Sequence, residues 1–174
     1  SRFDWEHTIH AIPEALAMTA YERLQKTLTA SERTWLVTGA AGFIGSNLVS
    51  ALLERGDEVR VLDNFSTGNR ANLAHAAGEV EVVEGDLRSY ERVHAAVRGS
   101  ELVFHQGALP SVPRSVQDPL TTTAVNVEGT LNVLDAARAA GVRRVLVVGS
   151  AEEYGRAGTE SPLREDAPLL PNSP

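Results

Sequence analysis

The sequence predicts an α/β protein built on a doubly wound parallel sheet, and three observations support this. From residue 31 onward, short runs rich in valine and leucine alternate with longer helical stretches, which is typical of βαβ units. The first run ends in a glycine-rich turn, Gly39-x-x-Gly42-x-x-Gly45, that leads into a helix. The second run ends at an acidic residue, Asp63. We expect the strand order 3-2-1-4-5, with helices on both faces of the sheet.

Five strands and four helices are expected after residue 31. The strands are the short apolar runs 35–38, 59–62, 80–83, 102–104 and 145–148. Helices are predicted from 43 to about 55, where Gly56 ends the helix, and over 70–77 and 90–97. Asp118 as N-cap and Pro119 at the first helical position predict a long helix that runs to residue 140 and stops at Gly141.

Two apolar stripes run along the predicted long helix. One holds Leu120, Ala124, Val127, Leu131 and Leu134, and the other holds Val125, Gly129, Val133, Ala136 and Ala140. A surface helix needs only one such stripe against its sheet. The second stripe therefore predicts a cover, which is either a partner subunit or a further part of the same fold.

Charge and composition exclude several classes of partner. The chain holds 16 basic and 23 acidic residues, for a net charge of −7, which disfavours nucleic acid and anionic membranes. It has no cysteine, which excludes disulfides and Cys-based metal sites, and no metal site is expected. No apolar run approaches the roughly 18 residues of a membrane span, and no signal peptide is seen. We expect a cytoplasmic protein.

The chain divides at about residue 30. Residues 1–30 form an N-terminal extension, with a helix expected from about residue 13. Met18 is the only methionine, and whether residues 1–17 are native stays open. Residues 31–174 form the nucleotide-binding domain.

The glycine turn and Asp63 predict a dinucleotide site. Glycines let the backbone approach a pyrophosphate, and the N-terminus of the following helix supplies unpaired N–H groups. Asp63 lies 18 residues after Gly45, where a carboxylate accepts hydrogen bonds from ribose hydroxyls and repels a 2′-phosphate. NAD is therefore expected rather than NADP. Asp86 and Leu87 follow the third strand, where they either contact adenine or cap a helix.

Four motifs resemble the extended short-chain dehydrogenase/reductases, the NAD-dependent sugar-nucleotide epimerases and dehydratases. They are Thr38-Gly-Ala-Ala-Gly-Phe-Ile-Gly-Ser, Leu62-Asp-Asn-Phe-Ser-Thr-Gly, Glu84-Gly-Asp-Leu and Asn126-Val-Glu-Gly-Thr-Leu-Asn. The resemblance covers about residues 33–174 and implies a Rossmann-type fold. The stretch from Met18 to Leu62, together with Leu109-Pro-Ser-Val-Pro-Arg-Ser-Val, most resembles 4-epimerases of UDP-N-acetylhexosamines, such as UDP-N-acetylglucosamine, and of UDP-glucose.

The resemblance implies the residues of the site. It places Ser150 as the catalytic hydroxyl, which also contacts substrate together with Ser111, Val112 and Ser115. The implied cofactor-binding residues are Gly39, Gly42, Phe43, Ile44, Gly45, Asp63, Asn64, Ser66, Thr67, Gly68, Asp86, Leu87, Gln106, Gly107, Ala108 and Asn126. His105 is expected to be structural, and Arg114 either meets substrate or is solvated.

The family's reaction needs groups that these 174 residues do not contain. Its members oxidise a sugar hydroxyl with NAD, using a tyrosinate base whose pKa a nearby lysine lowers. The resemblance places this Tyr-x-x-x-Lys directly after a Ser-Pro like Ser173-Pro174. We therefore expect the cofactor-binding half of a UDP-sugar 4-epimerase, truncated before the later strands and substrate domain and inactive alone. The full-length enzyme is expected to be a homodimer through a four-helix interface, which this fragment lacks in part.

Three alternatives differ in their chemistry. The 4,6-dehydratases carry Thr-Asp-Glu where this chain has Ser150-Ala151-Glu152, so the missing middle acid disfavours a dehydratase. The run Gly149-Ser-Ala-Glu-Glu-Tyr-Gly also resembles reductases of GDP-linked 4-keto-6-deoxy sugars. A non-catalytic NAD-binding module is the third alternative. Motifs in the two parts of the chain indicate neighbouring subfamilies, and the sequence leaves this open.

Overall fold

The computed structural model describes residues 31–155 and 162–174. The helix expected from about residue 13 lies outside the described residues, as does the rest of the proposed N-terminal extension up to residue 30.

Five parallel strands form one sheet in the order β3-β2-β1-β4-β5, which confirms the predicted order. The strands are β1 Thr34–Thr38, β2 Glu58–Asp63, β3 Val80–Glu84, β4 Leu102–His105 and β5 Arg144–Val147. Thr38 pairs with Leu62 on one side and with His105 on the other. The carboxyl ends of β1, β2 and β4 therefore lie side by side at one edge of the sheet.

Helices follow the strands on both faces. The α-helices are α1 Phe43–Glu54, α2 Tyr90–Val97, α3 Val112–Gln117, α4 Pro119–Thr123 and α5 Gly129–Ala140. A π-helical segment, Ala124–Glu128, joins α4 to α5, and 3₁₀ helices span Arg70–Ala76 and Ala151–Tyr154. The helix α3 was not predicted. The predicted long helix exists as α4, the π-helical segment and α5 in succession.

Alternating side chains of the strands build a core on each face of the sheet. In β1, Leu36 packs into one cluster with Leu62, Val97, Val103 and Val133, beneath α2 and α5. Its neighbour Val37 points to the other face and packs with Val49, Val61 and Leu73, beneath α1 and the first 3₁₀ helix. A strand covered on both faces is apolar at successive positions, which is why β1 is a continuous apolar run.

The two apolar stripes of the long helix differ in how far they are buried. Gly129, Val133 and Ala136 are buried against the core, whereas Leu120, Val127 and Leu131 are exposed, with Leu120 at 84%. The helix begins as predicted, because the Asp118 carboxylate accepts a hydrogen bond from the Thr121 N–H at 3.1 Å. It ends at Gly141, whose φ of +71° is the left-handed conformation that favours glycine.

Candidate functional site

A cavity of about 460 Å³ opens at the carboxyl ends of β1, β2 and β4. Open α/β sheets bind ligands at this edge, where the strand order reverses. The cavity is lined by Gly39, Gly42, Phe43, Ile44, Gly45, Leu62, Asp63, Asn64, Ser66, Thr67, Gly68, Gly85, Asp86, Leu87, Arg88, Gln106, Gly107, Ala108, Leu109, Pro110, Arg114, Thr121 and Val125.

In the turn after β1, Gly39 and Gly45 leave no room for a side chain. A Cβ at Gly39 would lie 2.8 Å from the Cα and the N of Gly107, and φ there is +69°. A Cβ at Gly45 would lie 2.3 Å from the carbonyl oxygen of Gly39. Gly42 then caps α1 without a side-chain hydrogen bond, and no acidic residue stands in the first turn. The turn therefore presents bare backbone and a helix N-terminus to an anion such as a pyrophosphate.

Asp63 holds the wall of the cavity beside this turn. Its Oδ2 accepts a hydrogen bond from the Ala41 N–H at 2.8 Å, and its Oδ1 accepts one from the Phe65 N–H at 2.8 Å. The side chain is 9% exposed. Each carboxylate oxygen keeps a second lone pair, so Asp63 can brace two backbone segments and still accept from a ribose hydroxyl.

Asp86 forms a charged cluster on the same side. The Arg88 guanidinium donates to both of its oxygens, at 2.9 and 2.7 Å, and the Asn64 side-chain amide donates to Oδ2 at 3.1 Å. These bonds, led by that of Arg88, lower the pKa of Asp86 to about 2. The alternative that Asp86 caps a helix is wrong, because α2 begins at Tyr90 with Ser89 as its N-cap.

A buried histidine links β4 to its neighbours below the cavity. His105 is 3% exposed; its Nδ1 lies 2.7 Å from Thr38 Oγ1 and its Nε2 lies 2.9 Å from Thr130 Oγ1. Burial lowers the pKa of His105 to about 4. This placement agrees with the structural role expected for His105.

The four predicted substrate residues do not line the cavity. Ser111 caps α3 by accepting from the Arg114 N–H at 3.4 Å. Val112 is 39% exposed, and the buried Ser115 donates to the Val112 carbonyl at 2.8 Å. Ser150 caps the 3₁₀ helix after β5 in a capping box. Its Oγ accepts from the Glu152 N–H at 3.2 Å, and its own N–H donates to Glu153 Oε1 at 2.9 Å.

The predicted cofactor residues lie together. All of them line the cavity except Asn126, which lies in the π-helical segment and braces the wall from behind. Its Oδ1 accepts from the Leu109 N–H at 2.8 Å, and its Nδ2 donates to the Leu109 carbonyl at 3.3 Å. Several lining residues were not predicted as cofactor-binding or substrate-binding residues: Leu62, Gly85, Arg88, Leu109, Pro110, Thr121 and Val125.

A sequence model of the NAD dependent epimerase/dehydratase family matches residues 35–174. This chain belongs to that family. NAD is the cofactor that defines the NAD dependent epimerase/dehydratase family, and the glycine turn together with Asp63 fits it, so the expectation of NAD is confirmed.

Individual members of the family are similar over the same part of the chain. A UDP-glucose 4-epimerase of Mycolicibacterium smegmatis is 42% identical over 147 residues, which are 80% of this chain and 45% of that protein. The solved structure of a Thermus thermophilus UDP-glucose 4-epimerase in complex with NAD is 42% identical, with a TM-score of 0.74 over 80% of this chain and 45% of that one.

A dehydratase is similar to the same extent. The structure of DesIV, a dTDP-glucose 4,6-dehydratase from Streptomyces venezuelae, is 41% identical, with a TM-score of 0.75 over 80% of this chain and 46% of that one. The chain spans about half the length of the curated relatives it matches. Among the described residues, no helix combines the length and apolarity needed to cross a membrane.

Proposed function

We propose that this chain is the cofactor-binding half of a sugar-nucleotide 4-epimerase that acts on a UDP-hexose or UDP-N-acetylhexosamine by transient oxidation at C4. The observation that carries the proposal is the cavity at the carboxyl edge. There a turn with no room for a Cβ at Gly39 or Gly45 lies beside a carboxylate held by two backbone N–H groups. Bound NAD supplies a hydride acceptor. The chain's own residues bind and orient it.

Each wall of the cavity suits one part of the dinucleotide. The Gly39–Gly45 turn and the first turn of α1 suit the pyrophosphate. Asp63 suits the adenosine ribose, and Asp86 with Leu87 suits the adenine. Residues 106–108, on the opposite wall, suit the remaining half of the cofactor.

Ser150 is proposed to hydrogen-bond the reacting sugar oxygen. Its Oγ already accepts from the Glu152 N–H, an arrangement that leaves the hydroxyl hydrogen to be donated. The same residue follows β5 at the edge of the sheet where open α/β folds bind ligands.

An epimerase is favoured over a dehydratase despite the similarity to DesIV. Loss of water from a sugar needs an acid beside the reacting carbons, and the residue after Ser150 is Ala151, whose methyl group cannot transfer a proton. The two UDP-glucose 4-epimerases described above support a UDP-sugar as substrate. The GDP-linked 4-keto sugar reductase remains the second candidate because of the run 149–155.

Turnover is proposed to need residues beyond these 174. The only lysine is Lys26, and the sequence contains no Tyr-x-x-x-Lys. A phenol needs its pKa lowered toward neutrality before it can act as a base, and a neighbouring cation does this. We expect the chain by itself to bind NAD and to leave UDP-sugars unchanged.

The cofactor assignment is tested by titrating the chain with NAD and with NADP by calorimetry. We expect NAD to bind more tightly than NADP. Asp63→Asn should weaken NAD binding about tenfold, because it removes the charge and replaces one of the two acceptor oxygens by a donor. Glu81→Gln is the matched control, because it removes one acidic charge from the exposed strand β3, away from the cavity. Equal affinity of the parent chain for both cofactors would contradict the assignment.

The reaction is tested with a chimera. Residues 33–174 replace the matching part of the Mycolicibacterium smegmatis UDP-glucose 4-epimerase, and the product is assayed for conversion of UDP-glucose to its C4 epimer. We expect activity, and a loss of about 10²-fold in kcat with Ser150→Ala. A chimera that binds NAD and leaves UDP-glucose unchanged, yet reduces a GDP-linked 4-keto sugar, would favour the second candidate.

A further inference from the structure

Four buried or half-buried groups form one continuous chain of hydrogen bonds beneath the cavity. Thr38 ends β1, His105 ends β4, Thr130 lies in the first turn of α5, and Asn126 lies in the π-helical segment. The separations are 2.7 Å from Thr38 Oγ1 to His105 Nδ1, 2.9 Å from His105 Nε2 to Thr130 Oγ1, and 2.6 Å from Thr130 Oγ1 to the Asn126 carbonyl.

The direction of every bond in this chain follows from its two ends. Thr38 Oγ1 accepts from the N–H groups of Gln106 and Gly107 at 3.2 and 3.1 Å, which occupies both of its lone pairs. Its hydrogen must therefore go to Nδ1 of His105. At the other end, a carbonyl can only accept, so Thr130 donates to Asn126 and accepts from Nε2–H of His105. The imidazole is thus neutral, with its proton on Nε2.

The two residues at the ends of this hydrogen-bond chain, Thr38 and Asn126, hold the same wall of the cavity. At one end, Thr38 fixes the amides of Gln106 and Gly107. At the other, the Asn126 side chain clasps the amide and carbonyl of Leu109. Residues 106–109 all line the cavity, and Gly107 lies against the glycine turn, where a Cβ on Gly39 would overlap it. A shift of this wall would change the width of the cavity directly.

We propose that His105 is a positioning residue: its Nε2–H tautomer, held between Thr38 and Thr130, fixes the wall 106–109 at the place that receives the cofactor. The inference rests on the proposed NAD-binding function. Only a side chain that accepts on one edge and donates on the other completes the chain. An apolar replacement would leave the Thr38 hydroxyl hydrogen without its acceptor and Thr130 Oγ1 without its donor in a buried site, which costs more than the hydrogen bonds themselves contribute.

The test compares three variants of the protein. His105→Phe keeps an aromatic ring and removes the hydrogen bonds to Thr38 and Thr130. His105→Gln retains one hydrogen-bond acceptor and one donor. Val103→Ala, on the same strand and 1% exposed, weakens the core without touching the cavity. NAD affinity is measured by calorimetry, thermal stability by melting, and amide exchange by NMR at Gly107 and Leu109, relative to Val37 in β1.

We expect His105→Phe to weaken NAD binding about tenfold and to speed exchange at Gly107 and Leu109 more than at Val37. His105→Gln should recover part of both effects. Val103→Ala should lower the melting temperature while leaving the dissociation constant within about twofold. If Val103→Ala weakens NAD binding as much as His105→Phe does, His105 acts only through stability and the proposal is wrong.

A second measurement is independent of NAD. Nitrogen-15 NMR of the imidazole should show a neutral ring with the proton on Nε2 at pH 7. A proton on Nδ1, or unchanged exchange at Gly107 and Leu109 in His105→Phe, would overturn the proposal. If the parent chain fails to bind NAD, the proposed function fails, while the tautomer and the exchange rates still decide the positioning of residues 106–109.

Discussion

Two sides of the carboxyl edge differ in how far their hydrogen bonds reach along the chain. On the cofactor side, which comprises the glycine turn, Asp63 and the wall 106–109, side chains bridge distant segments. Asp63 bonds Ala41 across 22 residues, and Thr38 bonds His105 across 67. On the proposed substrate side, called the substrate side below, which comprises α3 and the 3₁₀ helix after β5, the hydrogen bonds are local. Ser111, Ser115 and Ser150 bond backbone groups two or three residues away.

This difference separates a tertiary site from a local one. The cofactor side is fixed by the packing of the sheet, because moving one segment breaks bonds to another. The side-chain hydrogen bonds of the three serines stay within the short helices that they cap or belong to. We infer that the cofactor side can bind before any substrate does, whereas the substrate side needs further contacts to become a site.

The largest expected effect is that of a methyl group in the glycine turn. In Gly45→Ala the new Cβ would lie 2.3 Å from the Gly39 carbonyl oxygen and 2.7 Å from the Ala40 Cα, so the backbone must move. We expect a loss of at least about 100-fold in NAD affinity, measured by calorimetry. Gly99→Ala is the control, because φ is +80° there and no atom lies within 4 Å of the new Cβ. That variant should cost about 1 kcal/mol of stability and bind NAD normally.

Acidification should lower the free energy of unfolding through His105, which lies on the cofactor side. Its pKa is lowered from 6.5 to about 4 by burial, so protonation favours the unfolded chain. Above pH 6.5 this histidine leaves the free energy of unfolding unchanged. As the pH falls from 6.5 toward 4, the free energy of unfolding drops by about 1 kcal/mol per pH unit. Asp86, with its pKa lowered from 3.8 to about 2, loses its contribution only below pH 3.8.

Urea unfolding at pH 7, 5.5 and 4.5 checks this assignment. The parent chain should lose more stability over this range than His105→Gln, which has no ring to protonate. Equal pH dependence in the two proteins would assign the loss to other groups. The comparison keeps Asp86 charged throughout, because the range lies above pH 3.8.

The brace behind the wall 106–109 should have an intermediate effect. Asn126→Ala removes both hydrogen bonds to Leu109 and should weaken NAD binding about tenfold. Asn69→Ala serves as the control, because it removes a helix cap on Ala71 at a residue that does not line the cavity. It should cost about 1 kcal/mol of stability without changing the affinity. Similar losses of NAD affinity in the two variants would show that Asn126 acts through general stability.

The sequence predicted the sheet because its signals are local. The apolar runs, Asp118 with Pro119, and Gly141 each mark a boundary within a few residues, and the structure has those boundaries. The helix α3 was missed although Ser111 followed by Val112-Pro113 carries a start signal, a capping residue with proline in the first turn. Ser89 was missed in the same way: it is the N-cap of α2, whereas the sequence suggested Asp86 as the helix cap.

The hydrogen-bond chain through His105 was beyond the sequence for a physical reason. It depends on the register that sets Thr38 beside His105 and on the rotation of the long helix that brings Thr130 to the ring. The π-helical segment that carries Asn126 likewise has no start or stop signal in the sequence. Arg88 lines the cavity through its bonds to Asp86, a contact that sequence order alone does not reveal.

The smallest expected effects lie on the substrate side. We expect NAD affinity to stay within about twofold in each of three variants, Ser111→Ala, Ser115→Ala and Ser150→Ala. None of these side chains lines the cavity, and their hydrogen bonds go to backbone groups two or three residues away. Ser115→Ala should still cost about 1 kcal/mol of stability, since its buried hydroxyl donates to the Val112 carbonyl. A tenfold loss of NAD affinity in Ser150→Ala would show that this hydroxyl already belongs to the cofactor side. The separation between a preformed cofactor site and a locally held substrate side would then be wrong.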